Sequence, residues 1–331
     1  HLNNPKTAQL HFERMLFAVD TPISLGRAYY WLGRAHKKQG NLEEARKIFA
    51  QGAKHQTSFY GLLSAEEISA NFPYRFDPLP DLPDWREASF RRSSVFKAAI
   101  LLFASGQDAL GERFITHLAE TLSDREVEQM TDFLEEYQRP HVLVMLGKRK
   151  ASQGKNFPRP YFAMHPMIKE GYPVPNQLSL AIARRESEFD PKVISPVGAA
   201  GIMQVMPRTA REVAGKIGLR YDQRRMISDW KYNARIGTAY LKELNERFRS
   251  NPVLVSVAYN AGPTRAEKRS ALLGDPRNKK VNIIDWIEMI PFDETRNYVM
   301  RTAESIPMYR ARLGKDPLPV PFSKFLQGSG F

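Results

Sequence analysis

A carboxylate inside an apolar helical stripe is the feature that most constrains this chain. If residues 175–189 form a helix, Leu178, Ile182, Glu186 and Phe189 follow one another at spacings of four, four and three and lie on one face. Burial of a carboxylate in such a stripe disfavours its charged form and raises its pKa. A glutamate with a raised pKa suits a general acid near neutral pH, so we predict that Glu186 has this role.

Helix geometry alone leaves a second interpretation of Glu186 open. The same carboxylate can pair with Arg184 or Arg185 at the end of the helix, which is a structural role. Glu188 lies about 200° further round the helix, and we expect it to meet solvent. The sequence must therefore be followed beyond the helix to decide between catalysis and pairing.

The segment after the helix has the composition of a cleft wall. Pro191 is expected to stop the helix, because the residue before a proline disfavours the α conformation. Residues 195–207, SPVGAAGIMQVMP, then form a loop rich in Ile, Met and Val, which a solvated loop does not need. Such a loop is expected to fold back and wall a cleft, with Ser195 and Gln204 as its polar exceptions, although ordinary turn and loop hydrogen bonding is the alternative for both.

Five sequence blocks resemble, in order and spacing, the motifs of the soluble lytic transglycosylases, which cut bacterial peptidoglycan. They are ARRESEFDP, SPVGAAGIMQVMPRTA, NARIGTAYLKEL, VAYNAGP and PFDETRNYVMR. The resemblance is strongest over residues 175–309 and implies an all-α chain with a lysozyme-like C-terminal catalytic domain. One departure is mild: Ala234 stands where the family usually carries isoleucine.

The resemblance also implies which residues are catalytic and which bind substrate. Glu186 corresponds to the catalytic acid, and Tyr259 lies beside it at a helix end closed by Gly262. Tyr259 also fits a core tyrosine, Asn260 a cap, and Glu294 a helix-capping role. The substrate-binding residues that the resemblance implies are Ser195, Gln204, Met206, Tyr259, Asn260, Glu294 and Tyr298.

The implied reaction cleaves the β-1,4 bond between N-acetylmuramic acid and N-acetylglucosamine without water. Glu186 protonates the leaving oxygen, the substrate's own acetamido group attacks C1, and the C6 hydroxyl closes a 1,6-anhydro ring. No metal or organic cofactor is expected. A lysozyme-like muramidase or chitinase is the first alternative and usually needs a second carboxylate, for which Asp190 is the candidate. A non-catalytic wall-binding scaffold is the second.

Composition changes along the chain predict three parts. Residues 1–76 carry a tetratricopeptide-like pattern, WLGRA followed by GNLEEARKIF, and are expected to be the end of a longer superhelix. The proline-rich run FPYRFDPLPDLPDW marks a boundary before a helical linker domain over residues 77–157. Residues 158–331 are predicted to form the catalytic domain, with an irregular tail from Lys315.

Net charge and residue usage bear on which kinds of partner this chain can bind. A formal charge of +13 and a pI near 9.8 favour polyanions. The basic residues are scattered among acidic ones without a nucleic-acid-binding signature, and a cell wall with anionic stem peptides would equally favour a basic chain, so charge alone does not decide. The resemblance implies peptidoglycan glycan strands as the partner and no nucleic acid. No run approaches the ~18 apolar residues of a membrane span, and there is no cysteine. A periplasmic location, with cell-wall synthesis or secretion proteins as possible partners, follows from the resemblance.

Overall fold

Helices account for nearly all regular structure in residues 4–330, the part of the chain that this computed structural model describes. It contains eighteen α-helices and four short 3₁₀ turns. Within the same residues the only extended pairing consists of two isolated β-bridges, Ile194 with Ala200 and Ala200 with Val205. The prediction of an all-α fold is confirmed.

The chain divides into two compact units. The larger unit joins the residues up to Pro73 with those from Met167 onward, and the smaller unit spans Tyr74–Pro166. The first part of the larger unit contains four helices: α1 Pro5–Leu16, α2 Pro22–Lys38, α3 Leu42–Gly52 and α4 Phe59–Glu67. The three-part division at residues 76 and 157 stays a prediction.

Close helix packing in this first part depends on small residues. A Cβ atom added to Gly33 of α2 would lie 2.6 Å from the ring of Phe49 on α3, so only glycine allows the two helices to approach this far. Tyr30 and Tyr60 are 4% and 1% exposed and belong to the same core. These two rings therefore contribute to the packing of α2 against α4.

The smaller unit is a helical bundle that buries charged side chains together with their partners. Its helices are α5 Ser94–Ala104, α6 Asp108–Leu118, α7 Asp124–Glu136, α8 Pro140–Ser152 and α9 Pro158–Tyr161. Ser123 and Glu126 form a reciprocal capping box at the start of α7. Buried Lys150 donates to the carbonyl oxygen of Leu122 at 3.0 Å. No helix within residues 4–330 combines the length and apolar character needed to cross a membrane.

The remaining helices of the larger unit surround α17, which is the longest. They are α10 Asn176–Ser187, α11 Pro207–Lys216, α12 Arg225–Ser228, α13 Trp230–Arg247, α14 Pro252–Ala261, α15 Pro263–Leu273, α16 Ile283–Glu288, α17 Asp293–Arg312 and α18 Phe322–Leu326. Both α10 and α14 pack along α17. The end of α10, the end of α14 and the first half of α17 thereby meet.

Two predictions about local structure were wrong. Helix α10 ends at Ser187, because Glu188 and Phe189 adopt left-handed backbone conformations with φ of 54° and 67°. This turn, rather than the helical period, buries Phe189. The tail from Lys315 is not wholly irregular either, since α18 places Phe322 against Phe59 of α4 at 5.5 Å between ring centroids.

Candidate active site

Glu186 lies in the last turn of α10 and is half-buried. Burial raises the pKa of its carboxyl group from 4.5 to about 7, while a hydrogen bond from Tyr298 and the charge of Arg185 oppose that shift. A carboxyl group with this pKa is largely protonated in mildly acidic solution and can release its proton near neutrality. The direction agrees with the sequence prediction.

Tyr298 on α17 is the hydrogen-bond partner of Glu186. Its hydroxyl donates to Oε1 of Glu186 at 2.6 Å, and burial is the main cause that raises the pKa of Tyr298 well above 10. Tyr298 therefore stays a neutral donor and fixes the direction of the carboxyl group. Arg185 does not take this place: its guanidinium lies over the Tyr298 ring, 5.7 Å from the centroid.

Glu294, one helical turn before Tyr298, is the nearby second carboxylate. Its side chain is exposed, and its negative charge contributes to the raised pKa of Glu186. Asp190, the residue considered for a hydrolase, instead accepts a hydrogen bond from the backbone N–H of Lys192 at 2.8 Å, as in an ordinary turn. Asp190 is not among the charges that shift the pKa of Glu186.

Tyr259 connects the end of α14 to the loop that follows α10. Its hydroxyl donates to the carbonyl oxygen of Met203 at 2.8 Å, and its ring lies 5.5 Å from that of Tyr240. Burial first, and then the charge of Glu186, raises the pKa of Tyr259 well above 10. Tyr259 therefore lies within range of the charge of Glu186. The adjacent Asn260 accepts a hydrogen bond from Thr295 at 2.8 Å, which joins α14 to α17.

Residues 191–206, here called the cleft loop, are held by their own polar groups. Ser195 Oγ accepts from the N–H of Ala199 at 2.9 Å. The side-chain amide of Gln204 donates to the carbonyl oxygens of Val193 and Gly201, both at 2.9 Å. These are the loop hydrogen bonds that the sequence left open as an alternative. Substrate contacts by both residues stay predictions, as does that by Met206, which is 42% exposed.

Asn233 on α13 is the residue that the sequence analysis missed. It is fully buried; its Oδ1 accepts from the N–H of Met203 at 2.9 Å, and its Nδ2 donates to the carbonyl oxygens of Ala200 at 2.8 Å and Met226 at 3.1 Å. A Cβ atom at Gly201, where φ is +76°, would lie 2.3 Å from Nδ2 of Asn233. The sequence contains both residues, Asn233 in the block NARIGTAYLKEL and Gly201 in the block SPVGAAGIMQVMPRTA. Only the fold shows that they are close together.

Comparison with known proteins shows which family the region around this site resembles. Residues 165–282 match the family model described as "Transglycosylase SLT domain". These residues are similar to transglycosylase SLT domains. The matched segment carries Glu186 and the cleft loop, whereas Tyr298, the hydrogen-bond partner of Glu186, lies beyond it on α17.

Proteins similar to this chain include the soluble lytic murein transglycosylase of Escherichia coli K12. The two are 29% identical over 292 residues, which are 87% of this chain and 44% of the relative. The membrane-bound lytic murein transglycosylase C of Serratia proteamaculans is 30% identical over 173 residues, 46% of this chain and 47% of the relative. The chain thus spans less than half the length of the curated relatives it matches.

Solved structures show the same architecture. The 70 kDa soluble lytic transglycosylase of Escherichia coli aligns with a TM-score of 0.72 and 25% identity, over 88% of this chain and 47% of that one. An inactive glutamate-to-glutamine mutant of lytic transglycosylase Slt from Pseudomonas aeruginosa aligns with a TM-score of 0.66 and 28% identity, over 90% and 47%. The resemblance to soluble lytic transglycosylases is confirmed.

Proposed function

We propose that this chain is a lytic transglycosylase that cleaves the β-1,4 bond between N-acetylmuramic acid and N-acetylglucosamine in peptidoglycan. The observation that carries the proposal is Glu186, a half-buried carboxyl group with a pKa of about 7 whose hydrogen-bond partner is a neutral tyrosine. The transglycosylase SLT domain and the murein transglycosylases similar to this chain support the same reaction.

In the first step Glu186 acts as general acid. Its proton passes to the glycosidic oxygen, so N-acetylglucosamine leaves with a free hydroxyl group. The carbonyl oxygen of the 2-acetamido group attacks C1 and forms an oxazolinium-like intermediate, which supplies the nucleophile that a second carboxylate provides in other glycosidases. Tyr259 is next to Glu186 and is proposed to stabilise this cation, because its hydroxyl oxygen presents a partial negative charge.

In the second step the carboxylate of Glu186 acts as general base. It removes the proton from the C6 hydroxyl of the muramic acid as that oxygen attacks C1 and displaces the acetamido oxygen. The product is a 1,6-anhydro ring, and Glu186 recovers its proton without consuming water. The hydrogen bond from Tyr298 stabilises Glu186 in the charged state that exists between the two steps.

The sugars on either side of the bond are proposed to lie between the cleft loop and α17. Glu294 is exposed and close to the acid, and Met206 is exposed on the cleft loop. Ser195, Gln204 and Asn260 shape this cleft through the hydrogen bonds described above and are proposed to contact sugars with their remaining polar capacity. The reaction needs neither a metal nor an organic cofactor, because acid, base and nucleophile come from Glu186 and the substrate.

The muramidase alternative is not favoured. Asp190 is occupied in a turn, and the similar proteins are named transglycosylases. A periplasmic location is proposed together with the peptidoglycan substrate. Proteins of cell-wall synthesis or secretion are proposed as partners on the resemblance alone.

Digestion of purified peptidoglycan followed by mass spectrometry of the muropeptides tests the proposal. The unaltered chain is expected to release products one water lighter than those of a muramidase, and Glu186→Gln is expected to release none. Reducing-end products from the unaltered chain would show a hydrolase. Binding without cleavage would indicate a wall-binding scaffold.

A further inference from the structure

A carboxylate that the proposed reaction does not use joins α16 to two helices from the first part of the larger unit. The side chain of Glu288, at the end of α16, is 12% exposed. It accepts hydrogen bonds from the guanidinium of Arg27 on α2, at 3.1 and 3.2 Å, and from the hydroxyl of Tyr60 on α4. The same guanidinium lies over the Tyr60 ring, 5.6 Å from its centroid. Glu288 thereby fastens α16 to both α2 and α4.

Arg296 on α17 extends this junction into the next helix. Its Nε lies 3.9 Å from Oε2 of Glu288, and its Nη1 donates to the carbonyl oxygen of Ile290 at 3.0 Å. Its Nη2 pairs with Asp293, the first residue of α17. One guanidinium therefore holds the whole turn between α16 and α17. A planar group with five N–H donors can serve three acceptors at once, which a lysine cannot do in the same geometry.

The turn that Arg296 holds leads directly into Glu294, one of the residues proposed to bind substrate. Glu294 is exposed, so its place is set by the backbone that carries it. Phe292 occupies the N-cap position of α17 and has no polar side chain that could cap the helix. A helix start that lacks a side-chain cap frays readily. The contacts of Arg296 supply the restraint that the N-cap residue does not.

We propose that Arg296 and Glu288 are positioning residues for Glu294, and that through them α2 and α4 contribute to substrate affinity. This inference rests on the proposed function, because it takes Glu294 as a residue that contacts sugars. It deepens that function by giving the N-terminal helices a part in it. Both positioning residues, like α2 and α4, lie outside residues 165–282, the segment that matches the family model.

Arg296→Met tests the proposal, because methionine keeps an unbranched side chain and removes all three polar contacts. Glu294 transfers no proton in the proposed reaction, so its displacement removes a contact that bound substrate and transition state share. KM for a soluble muropeptide oligomer is therefore expected to rise about fivefold or more, while kcat stays within about twofold. A residue that only stabilises the fold would lower the melting temperature without this change in KM.

Arg34→Met is the matched control. Arg34 also fastens α2 to α16, since it pairs with Asp285 at 3.3 Å, one helical turn before Glu288. This variant is expected to lose stability and keep the KM of the unaltered chain. An unchanged KM in folded Arg296→Met, or an equal rise in both variants, would overturn the inference.

Two further variants locate the effect. Glu288→Gln breaks the ion pairs with Arg27 and Arg296 and is expected to raise KM in the same direction; an unchanged KM would overturn the part assigned to α2 and α4. If Arg296 acts through Glu294, then Arg296→Met should add almost nothing to the KM of Glu294→Gln. Two effects that multiply in the double variant would contradict positioning.

Hydrogen exchange of the ligand-free chain tests the inference without any activity. The amide of Arg296 donates to the carbonyl oxygen of Phe292 and is the first hydrogen-bonded amide of α17. The amides of residues 296–299 are expected to exchange about tenfold faster in Arg296→Met and Glu288→Gln, and at the unaltered rate in Arg34→Met. Equal rates in all four proteins would overturn the inference.

These measurements separate failure of the inference from failure of the proposed function. Should the unaltered chain release no product, the proposed function fails, and the exchange rates alone decide whether Arg296 and Glu288 hold the start of α17. Should Arg296→Met not fold, Arg296→Lys replaces it in every measurement, because lysine keeps the charge and loses the three-way contact. An unaltered KM and unaltered exchange in folded Arg296→Lys would overturn the inference.

Discussion

Two buried charged groups, one in each unit of this chain, have opposite surroundings. In the smaller unit the side chain of Arg159 is 7% exposed and pairs with Asp132 at 2.7 Å and with Glu128 at 3.7 Å, and it also contacts Glu135. In the larger unit Glu186 receives one hydrogen bond from a neutral tyrosine, and its pKa is raised to about 7. The guanidinium of Arg159 is buried together with its charged partners, whereas the carboxylate of Glu186 is easily protonated.

This difference separates structural from catalytic burial. A buried ion with several opposite charges remains charged at every physiological pH and contributes to a unique packing arrangement. A buried carboxyl group with a neutral donor gains and loses a proton near pH 7, which a proton-transfer catalyst requires. The following predictions test this distinction between structural and catalytic burial.

The largest effect is expected for Glu186→Gln. The variant keeps the shape of the side chain but has no proton to give, so muropeptide release should fall about a thousandfold or more. Release is measured by chromatography of a peptidoglycan digest. Glu188→Gln, two residues later and beyond the end of α10, is the control and should retain most activity.

Stability gives the second half of that test. The folded-state pKa of Glu186 is raised from 4.5 to about 7, so its stabilising contribution is complete below pH 4.5 and is lost as the pH rises through 7. At pH 8 the free energy of unfolding of Glu186→Gln should therefore exceed that of the unaltered chain by up to about 3 kcal/mol. Equal denaturant midpoints at pH 5 and pH 8 in both proteins would contradict the raised pKa.

Arg159→Met tests the buried ion pairs of the smaller unit. It leaves the carboxylates of Glu128, Asp132 and Glu135 without their shared cation, and the free energy of unfolding should fall by about 3–5 kcal/mol. Chemical denaturation measures the loss, with Arg113→Met on the exposed face of α6 as the control. A change below 1 kcal/mol would show that the paired arginine is not needed for stability.

Asn233→Ala sharpens the role of the cleft loop. The change removes three buried hydrogen bonds to backbone groups of Met203, Ala200 and Met226, so stability should fall by about 2–3 kcal/mol. Activity should fall at least tenfold because the loop carries the Met203 carbonyl that receives the Tyr259 hydrogen bond. The control is Thr238→Ala on the same helix, whose hydroxyl bonds only within α13. Full activity in Asn233→Ala would show that catalysis does not need the hydrogen bonds between Asn233 and the cleft loop.

Tyr298→Phe is expected to have the smallest effect of the four. The hydroxyl stabilises the ionised form of Glu186, so its removal should raise the pKa of that carboxyl group and move the alkaline limb of kcat/KM up by about one pH unit. The profile is recorded with a soluble muropeptide oligomer. A shift to lower pH would mean that the hydroxyl does not act on Glu186 as a donor.

The sequence predicted the helices and the acid better than it predicted what holds them. Helical periodicity and the family blocks located α10, the end of α14 and the raised pKa of Glu186, because these follow from local spacing. The early end of α10 was missed, since two left-handed residues can precede Pro191 as readily as a continuing helix. The hydrogen bonds of Asn233 to the cleft loop, and the one that Glu304 accepts from the N–H of Phe59, join segments far apart in the chain. No local pattern marks such polar contacts.

The central claim is that Glu186 serves as both acid and base while the substrate supplies the nucleophile. Digestion of peptidoglycan in oxygen-18-labelled water tests it most directly, with mass spectrometry of the muramic acid ends. The account predicts 1,6-anhydro ends that contain no labelled oxygen. One labelled oxygen at C1 of each new end would show that water attacks there, and it would contradict the account.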